Sequence, residues 1–279
     1  MPTIFEPKTV NSLLTIIRRY PDSTIFSSGI ETVMQSSSRL MQLPENIIYT
    51  GKIEEIQKMK RSERYLEIGA GTKISHIIDK GKNIIPAILL DAMKKITPPN
   101  FKNIFTIGGM ICSGTERNSV FAVLCILDAK LEIRSAGGSR WINTIQLFNG
   151  RTMELAPDEI VTKIRINLSD YDINIHRKID NDFSSNGGII TFSAIGTIVK
   201  NNISFIKFIF STSDQFIIRN KEIESELGGQ NLPFSEKSAA LSISHFSDYI
   251  SQKHSDMQNY KKNIIVNIFD WFLRELNYY

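Results

Sequence analysis

Two short stretches of this chain have the residue types to hold a diphosphate. The first is Thr106-Ile107-Gly108-Gly109-Met110. Adjacent glycines admit positive φ angles and let main-chain N–H groups come close to a ligand. A diphosphate needs several amide donors and little steric bulk around them. The second stretch is Phe26-Ser27-Ser28-Gly29-Ile30-Glu31-Thr32-Val33. Residues 24–26 read as a short strand that runs into small and hydroxyl-bearing residues, which makes a second anion cradle. Both stretches also read as plain turns, with a serine capping whatever follows. Neither ends in the Gly-Lys-Ser/Thr of a P-loop, and neither is a G-x-G-x-x-G dinucleotide fingerprint.

Other chemistries find less support. The four histidines, His76, His176, His245 and His254, lack metal-ligand spacing. No Gly-x-Ser-x-Gly nucleophile elbow occurs. Two cysteines, Cys112 and Cys125, are too few for an iron–sulfur site and lie in or beside apolar runs, as buried free thiols do. Asp91, Asp128 and Asp158 sit where caps and turns are expected. His176-Arg177-Lys178 is the one compact polar cluster, read either as an exposed loop or as a functional group of charges.

Around these stretches, helix and strand signals alternate. Residues 10–20 carry Leu13, Leu14, Ile16 and Ile17 at helical spacing, stopped by Pro21-Asp22. Residues 43–48 read as a strand entry, 53–59 as a short helix or turn, and 65–70 as a strand. Residues 73–79 and 86–96 read as helices, and Pro98-Pro99 ends the second. Residues 118–127 are apolar on nearly every face and predict a buried helix. Residues 130–135 form a strand ending in a Gly137-Gly138 turn, and 159–167 alternate as a strand whose inward side carries Ile160, Ile164 and Ile166 or their neighbours. A boundary falls near 167–172. Beyond it, long strands at 188–200 and 204–213 flank an Asn201-Asn202 turn. Helices follow at 220–227, 236–244 and 256–277, the order of an α+β domain.

Composition is that of a globular protein. The 279 residues are 42% hydrophobic and 22% charged, enough chain for two cores. A net charge of +4 without a Lys/Arg stripe gives no mandate for nucleic acid. Lys58, Lys60, Arg61 and Arg64 cluster, but Glu54, Glu55 and Glu63 interrupt them, so a solvated face is expected. The opening residues are no signal peptide, and the longest apolar run falls far short of a membrane span. The expectation is a cytoplasmic protein with no membrane association.

Eight motifs in order carry a family resemblance. Pro7-Lys8-Thr9 precedes the first helix. Ser27 to Glu31 stands where the family has an Ala-Gly-Gly-Thr-Asp loop. Leu66-Glu67-Ile68-Gly69-Ala70 matches a Leu-x-Ile-Gly-Ala strand, Thr106 to Met110 a Thr-Ile-Gly-Gly-Asn loop, and Leu127-Asp128-Ala129 a Leu-Asp-Ala. Ser135 to Arg140 matches Ser-Ala-Gly-Gly-x-Arg, followed by the stretch from Ile145 to Arg151, and Leu155 to Ile160 matches Leu-x-Pro-x-Glu-hydrophobic. Together they resemble the FAD-binding medium subunit of the molybdenum hydroxylases, the group of xanthine dehydrogenase and carbon monoxide dehydrogenase. The resemblance covers nearly the whole chain.

The resemblance implies an α+β protein. A PCMH-type FAD-binding domain of two small α/β subdomains would occupy 1–168. An α+β C-terminal domain, an antiparallel sheet with helices, would occupy 169–279. It implies FAD held by residues Phe26 to Val33, Ile96, Thr106 to Met110, Ser119 and Val161, with Lys178 beside the flavin ring. It implies no catalytic side chain of the chain's own and no metal. The partners would be an iron–sulfur subunit and a molybdopterin-binding subunit, with electrons passing from [2Fe–2S] clusters through FAD to an acceptor. Positions that depart from the family include Ser28, which replaces a glycine, Ile30, which replaces a threonine, Met110 an asparagine and Ser119 an aspartate. The alternative implied by those departures is a flavin-poor structural subunit of the same kind of complex. A self-contained flavin oxidase fits less well, since the C-terminal part is short and shows no covalent attachment residue.

Overall fold

The structure is a computed structural model that describes residues 2–29, 43–82, 84–96, 99–113, 119–149, 152–179, 188–213 and 217–279. Ile30, Glu31, Thr32 and Val33 lie outside the described residues, as does the Gly114 to Arg117 run. The chain divides into two units, Met1–Ser169 and Asp170–Tyr279.

The first unit opens with strand β1 (Thr3–Phe5), helix α1 (Val10–Arg19), β2 (Thr24–Phe26) and β3 (Asn46–Tyr49). Thr9 caps α1, its Oγ1 accepting from the Ser12 N–H at 3.1 Å. The apolar stripe of α1 buries Val10, Leu13, Leu14 and Ile17 against Ile48 and Ile53, the packing its 3.6-residue period calls for. The three strands form a parallel sheet in the order β1-β3-β2.

A 3-10 turn at Glu54–Gln57 leads to β4 (Met59–Arg61) and β5 (Tyr65–Gly69). Four helices follow: α2 (Ile74–Gly81), α3 (Ala87–Lys94), α4 (Ile107–Cys112) and α5 (Ser119–Ile126). Then come β6 (Lys130–Ser135), β7 (Gly138–Asn143), the short pair β8 (Phe148–Asn149) and β9 (Thr152–Met153), and β10 (Ile160–Asn167). The second sheet is antiparallel in the order β4-β5-β10-β6-β7. All eight residues of α5 are buried, as an all-apolar helix requires. It packs on α3 and α4, and α4 packs on β10.

The second unit holds β11 (Ile173–Ile179), β12 (Ile190–Val199), β13 (Asn202–Thr212) and β14 (Ile217–Ile218) in one antiparallel sheet of that order. Helices α6 (Lys221–Leu227), α7 (Glu236–Lys253) and α8 (Asn259–Leu276) follow. Asn220 caps α6, its Oδ1 accepting from the N–H groups of Glu222 and Ile223. The core is aromatic: Phe192, Phe208, Phe210, Phe246, Phe269 and Phe272 are all fully buried.

Three local expectations are corrected. Residues 106–110 are not a positive-φ turn. Thr106 is the N-cap of α4, and Gly108 and Gly109 lie in its first turn. The β12–β13 turn falls one residue earlier than expected, on Lys200-Asn201. Both residues have positive φ (50° and 60°), as a two-residue hairpin turn needs. His176-Arg177-Lys178 lies in strand β11, so the exposed-loop alternative fails.

Candidate functional site

The candidate site is assembled by backbone hydrogen bonds around Ala70, at the end of β5. Its N–H donates to Thr162 O on β10 at 2.9 Å, and its carbonyl accepts from Gly108 N–H at 2.8 Å. Two residues on, Thr72 O accepts from Ile107 N–H at 3.0 Å. Residues 106–110 are thereby fastened to the ends of β5 and β10. Val161 lies beside this junction, at a bulge in β10 between Val161 and Lys163. Gly71 N–H donates to Ile56 O at 2.8 Å, which ties the same corner to the turn after β3.

That geometry explains the glycines better than backbone freedom does. A Cβ on Gly108 would stand 2.7 Å from Ala70 Cβ and 2.8 Å from Ala70 O. A Cβ on Gly69 would meet Ile56 O at 2.2 Å. Both glycines are there for close approach of backbones. Gly29 is the different case: its φ is +71°, and a Cβ there would run into the Phe26 ring at 2.4 Å.

The donors divide accordingly. Met110 N–H bonds Thr106 O, and with the bonds of Ile107 and Gly108 this makes three amides closed by backbone carbonyls. Gly109 N–H instead meets the Thr106 hydroxyl at 3.2 Å, a bond that can be exchanged for a ligand oxygen without opening any backbone pairing. On the stretch that begins at Phe26, Thr50 holds the strand end, its N–H and Oγ1 both donating to Phe26 O at 2.8 and 3.2 Å. Beyond that point the amides of Ser28 and Gly29 have no acceptor among the described residues. The amides of Ser28 and Gly29 on one stretch and of Gly109 on the other are donors of the kind a phosphate-bearing cofactor takes, so the residues fit FAD.

Of the remaining candidates, Met110 and Ser119 are 5% and 8% exposed, Ser119 at the start of α5, and Ile96 is buried after α3. Lys178 is half-buried in β11, in the second unit. Thr72 was not singled out from the sequence. Its hydroxyl is buried and finds no hydrogen-bond partner among the described residues. The Gly-Thr pair directly after a strand was the available signal.

Behind the junction, Glu132 on β6 is 6% exposed and accepts from the Thr162 hydroxyl at 2.7 Å. Burial pushes its carboxyl up, but that hydrogen bond and the charges of Lys163 and Arg134 outweigh burial and leave it below the ordinary carboxylate value. A lowered folded-state pKa gives stability that is present above the ordinary carboxylate range and lost as pH falls through the lowered value. Thermal unfolding followed from neutral to acid pH should show that loss, and Glu132→Gln should flatten it. An unchanged acid limb in the variant would remove Glu132 from the account. Among the described residues no cluster of His, Cys, Asp and Glu could hold a metal ion. Among them too, no helix is long and apolar enough to cross a membrane.

Comparison with known proteins bears on this geometry. The profile of the family described as FAD binding domain in molybdopterin dehydrogenase matches residues 2–168. The nicotinate dehydrogenase FAD-subunit of Eubacterium barkeri is 25% identical over 174 residues, 60% of this chain and 58% of that protein. The glyceraldehyde dehydrogenase medium chain of Sulfolobus acidocaldarius is 26% identical over 217 residues, 76% of this chain and 75% of the relative. Among solved structures, quinoline 2-oxidoreductase from Pseudomonas putida 86 superposes with a TM-score of 0.80 at 13% identity, covering 99% of this chain and 95% of that one. Carbon monoxide dehydrogenase from Hydrogenophaga pseudoflava does so with a TM-score of 0.80 at 18% identity, covering 97% and 96%. At such identities the structural likeness speaks for the fold.

Proposed function

The chain belongs to the family of FAD-binding domains in molybdopterin dehydrogenases, and from that premise we propose that it is the flavoprotein subunit of a multi-subunit molybdenum hydroxylase. The relatives named as an FAD-subunit and a medium chain support this reading. In it, residues 1–168 are a PCMH-type domain whose two sheets correspond to two small α/β subdomains, and residues 169–279 are the C-terminal flavoprotein domain. An iron–sulfur subunit and a molybdopterin-binding subunit are the partners, and the protein works in the cytoplasm.

FAD, when bound, supplies the passage of electrons from a one-electron donor to an outside acceptor. The chain's own residues bind and orient. Ser28 and Gly29 offer their amides to the diphosphate, and Phe26, Ser27 and Ile30 to Val33 belong to the same binding stretch in this reading. Thr106 shares its hydroxyl between Gly109 N–H and the ligand. Ile96 and Val161 give apolar contact, Met110 and Ser119 line the α4–α5 side, and Lys178 places a positive charge near the flavin ring. The observation that carries this reading is the exchangeable Gly109–Thr106 bond, held in place by Ala70.

A titration of the purified chain with FAD tests it. An ordinary hydrogen bond contributes about 0.5–1.5 kcal/mol, and one to a charged group about 1.5–3. Three departures from the family pattern therefore correspond to roughly one to three orders of magnitude in affinity. The expected result is saturable but weak binding, tightened when Ile30→Thr, Met110→Asn and Ser119→Asp are combined. Because Met110 and Ser119 are buried, the new polar groups should destabilise the FAD-free protein and stabilise only the loaded one. No saturable binding in either protein would favour the flavin-poor structural subunit.

Lys178→Ala gives a separate check. Removing a positive charge beside the ring should lower the flavin's reduction potential. Affinity should weaken by about 1 kcal/mol, roughly fivefold. An unchanged potential and affinity would remove Lys178 from the site.

A further inference from the structure

We infer that the first unit holds a second ligand site, for a small phosphate-class dianion, in a cavity between the start of α1 and the five-stranded sheet. The cavity measures about 260 Å³, and Val10, Glu55, Ile56, Lys58, Lys60, Glu67, Arg134, Thr162 and Lys163 line it. None of the residues assigned to FAD is among them. The lining has four cations and two carboxylates, and the surroundings show which of these charges are answered within the fold.

Glu55 stays in the lining, its Oε1 accepting the Val10 N–H at the first turn of α1, so its charge offsets one of the four cations. Glu67 faces Lys60 across β4 and β5, but it accepts from Nε and Nη2 of Arg165 at 2.9 and 2.6 Å instead. Arg134 and Lys163 share the single buried carboxylate of Glu132, at 3.4 and 3.3 Å. Lys58 and Lys60 have no ion pair among the described residues. The cavity is thus left with an excess of positive charge that the fold does not neutralise. Thr162, 1% exposed, forms part of the floor and fixes Glu132 through its hydroxyl, which in turn positions Arg134 and Lys163.

A phosphate group carries about −1.5 to −2 charge at neutral pH and accepts hydrogen bonds on three oxygens when esterified. It suits a small space lined by three lysines and one arginine better than a monocarboxylate does. The volume admits a phosphate with a short carbon chain and excludes a whole dinucleotide. The site concerns small phosphorylated compounds or inorganic phosphate itself.

Inorganic phosphate is the probe, added to the full chain at constant ionic strength with chloride as the balancing salt. Binding is read by calorimetry and by the phosphorus NMR linewidth. The expected result is saturable binding in the native protein and at least tenfold weaker binding in the Lys58→Ala/Lys60→Ala double variant. Both lysines are exposed, so the fold should tolerate the change. Lys237→Ala, an exposed lysine on α7, should bind as the native protein does. Repeating the titration with saturating FAD separates the two sites: an unchanged phosphate affinity supports the inference whether or not the flavin reading holds. The inference fails if the native protein shows no saturation, if the double variant binds equally well, if Lys237→Ala loses as much, or if phosphate and FAD compete.

Discussion

Gly108→Ala should destabilise the first unit by about 1–3 kcal/mol, the usual range for overpacking, and weaken FAD at least tenfold. The added methyl meets Ala70 on three atoms, Cβ at 2.7 Å, O at 2.8 Å and Cα at 3.1 Å. None of them is the far end of a flexible side chain. Ala70 is itself fixed, because its N–H donates to Thr162 O. Relief therefore requires the start of α4 to move outward, stretching the 2.8 Å bond from Gly108 N–H to Ala70 O. That movement carries Thr106 and Gly109 with it, and a tenfold loss in affinity is only about 1.4 kcal/mol. Gly109→Ala should be milder, since a Cβ there touches only the Thr106 hydroxyl, at 3.0 Å. Gly137→Ala should do nothing, as its nearest contact is 3.7 Å away. Thermal unfolding and a flavin-fluorescence titration of the three variants give the order. Equal behaviour of Gly108→Ala and Gly137→Ala would refute the packing argument.

Phe269→Ala should cost the second unit about 3–5 kcal/mol. The ring is fully buried and sits 4.4 Å from Phe246, 5.1 Å from Phe208 and 6.3 Å from Phe272, centroid to centroid. Those neighbours come from β13, α7 and α8, so the cavity would open at the junction of a sheet and two helices. The neighbouring rings are fixed by their own packing and can fill it only in part. For a unit of this size the unfolding temperature should fall by roughly 10–25 °C. Leu241→Ala, at a site 57% exposed, should stay within about 0.5 kcal/mol of the native protein. Trp271 lies in this unit, and its fluorescence in a Trp141→Phe background reports the transition by denaturant titration. A loss below about 1 kcal/mol would mean that the aromatic core repacks freely.

Periodicity made some of the fold legible. The stripe of α1 and the uniformly apolar run of α5 could be read directly, because each dictates where a helix must be buried. The alternation over 159–167 marked β10 as a strand, and the burial of Ile160, Ile164 and Ile166 decides which of its faces turns inward. Elements with exposed polar residues escaped. Strand β11 carries His176, Arg177 and Lys178 at the edge of its sheet, and β7 carries Ser139 and Arg140 at the edge of another. An edge strand has one side without a neighbour, so its sequence shows little of the sheet it joins. The candidate site was legible as small residues at strand ends, but not as geometry. Gly108 stands where it does because of Ala70, 38 positions earlier, and no local pattern can report such a contact. Thr72 and Thr50 escaped for the same reason.

The place of β10 in its sheet bears on how the first unit comes into being. It is last of the five strands in sequence yet lies between β5 and β6. Until it is made, β4–β5 and β6–β7 are two separate hairpins, each with an open edge. Arg165 must then find Glu67 across 98 residues of chain. On a ribosome, the early strands wait with unpaired backbone for the one that joins them, an aggregation hazard that grows with the delay. The same strand supplies Thr162, the acceptor for Ala70. The corner proposed to receive the cofactor is therefore finished in the same event that closes the sheet, and a nascent chain ending before Ile160 would have neither.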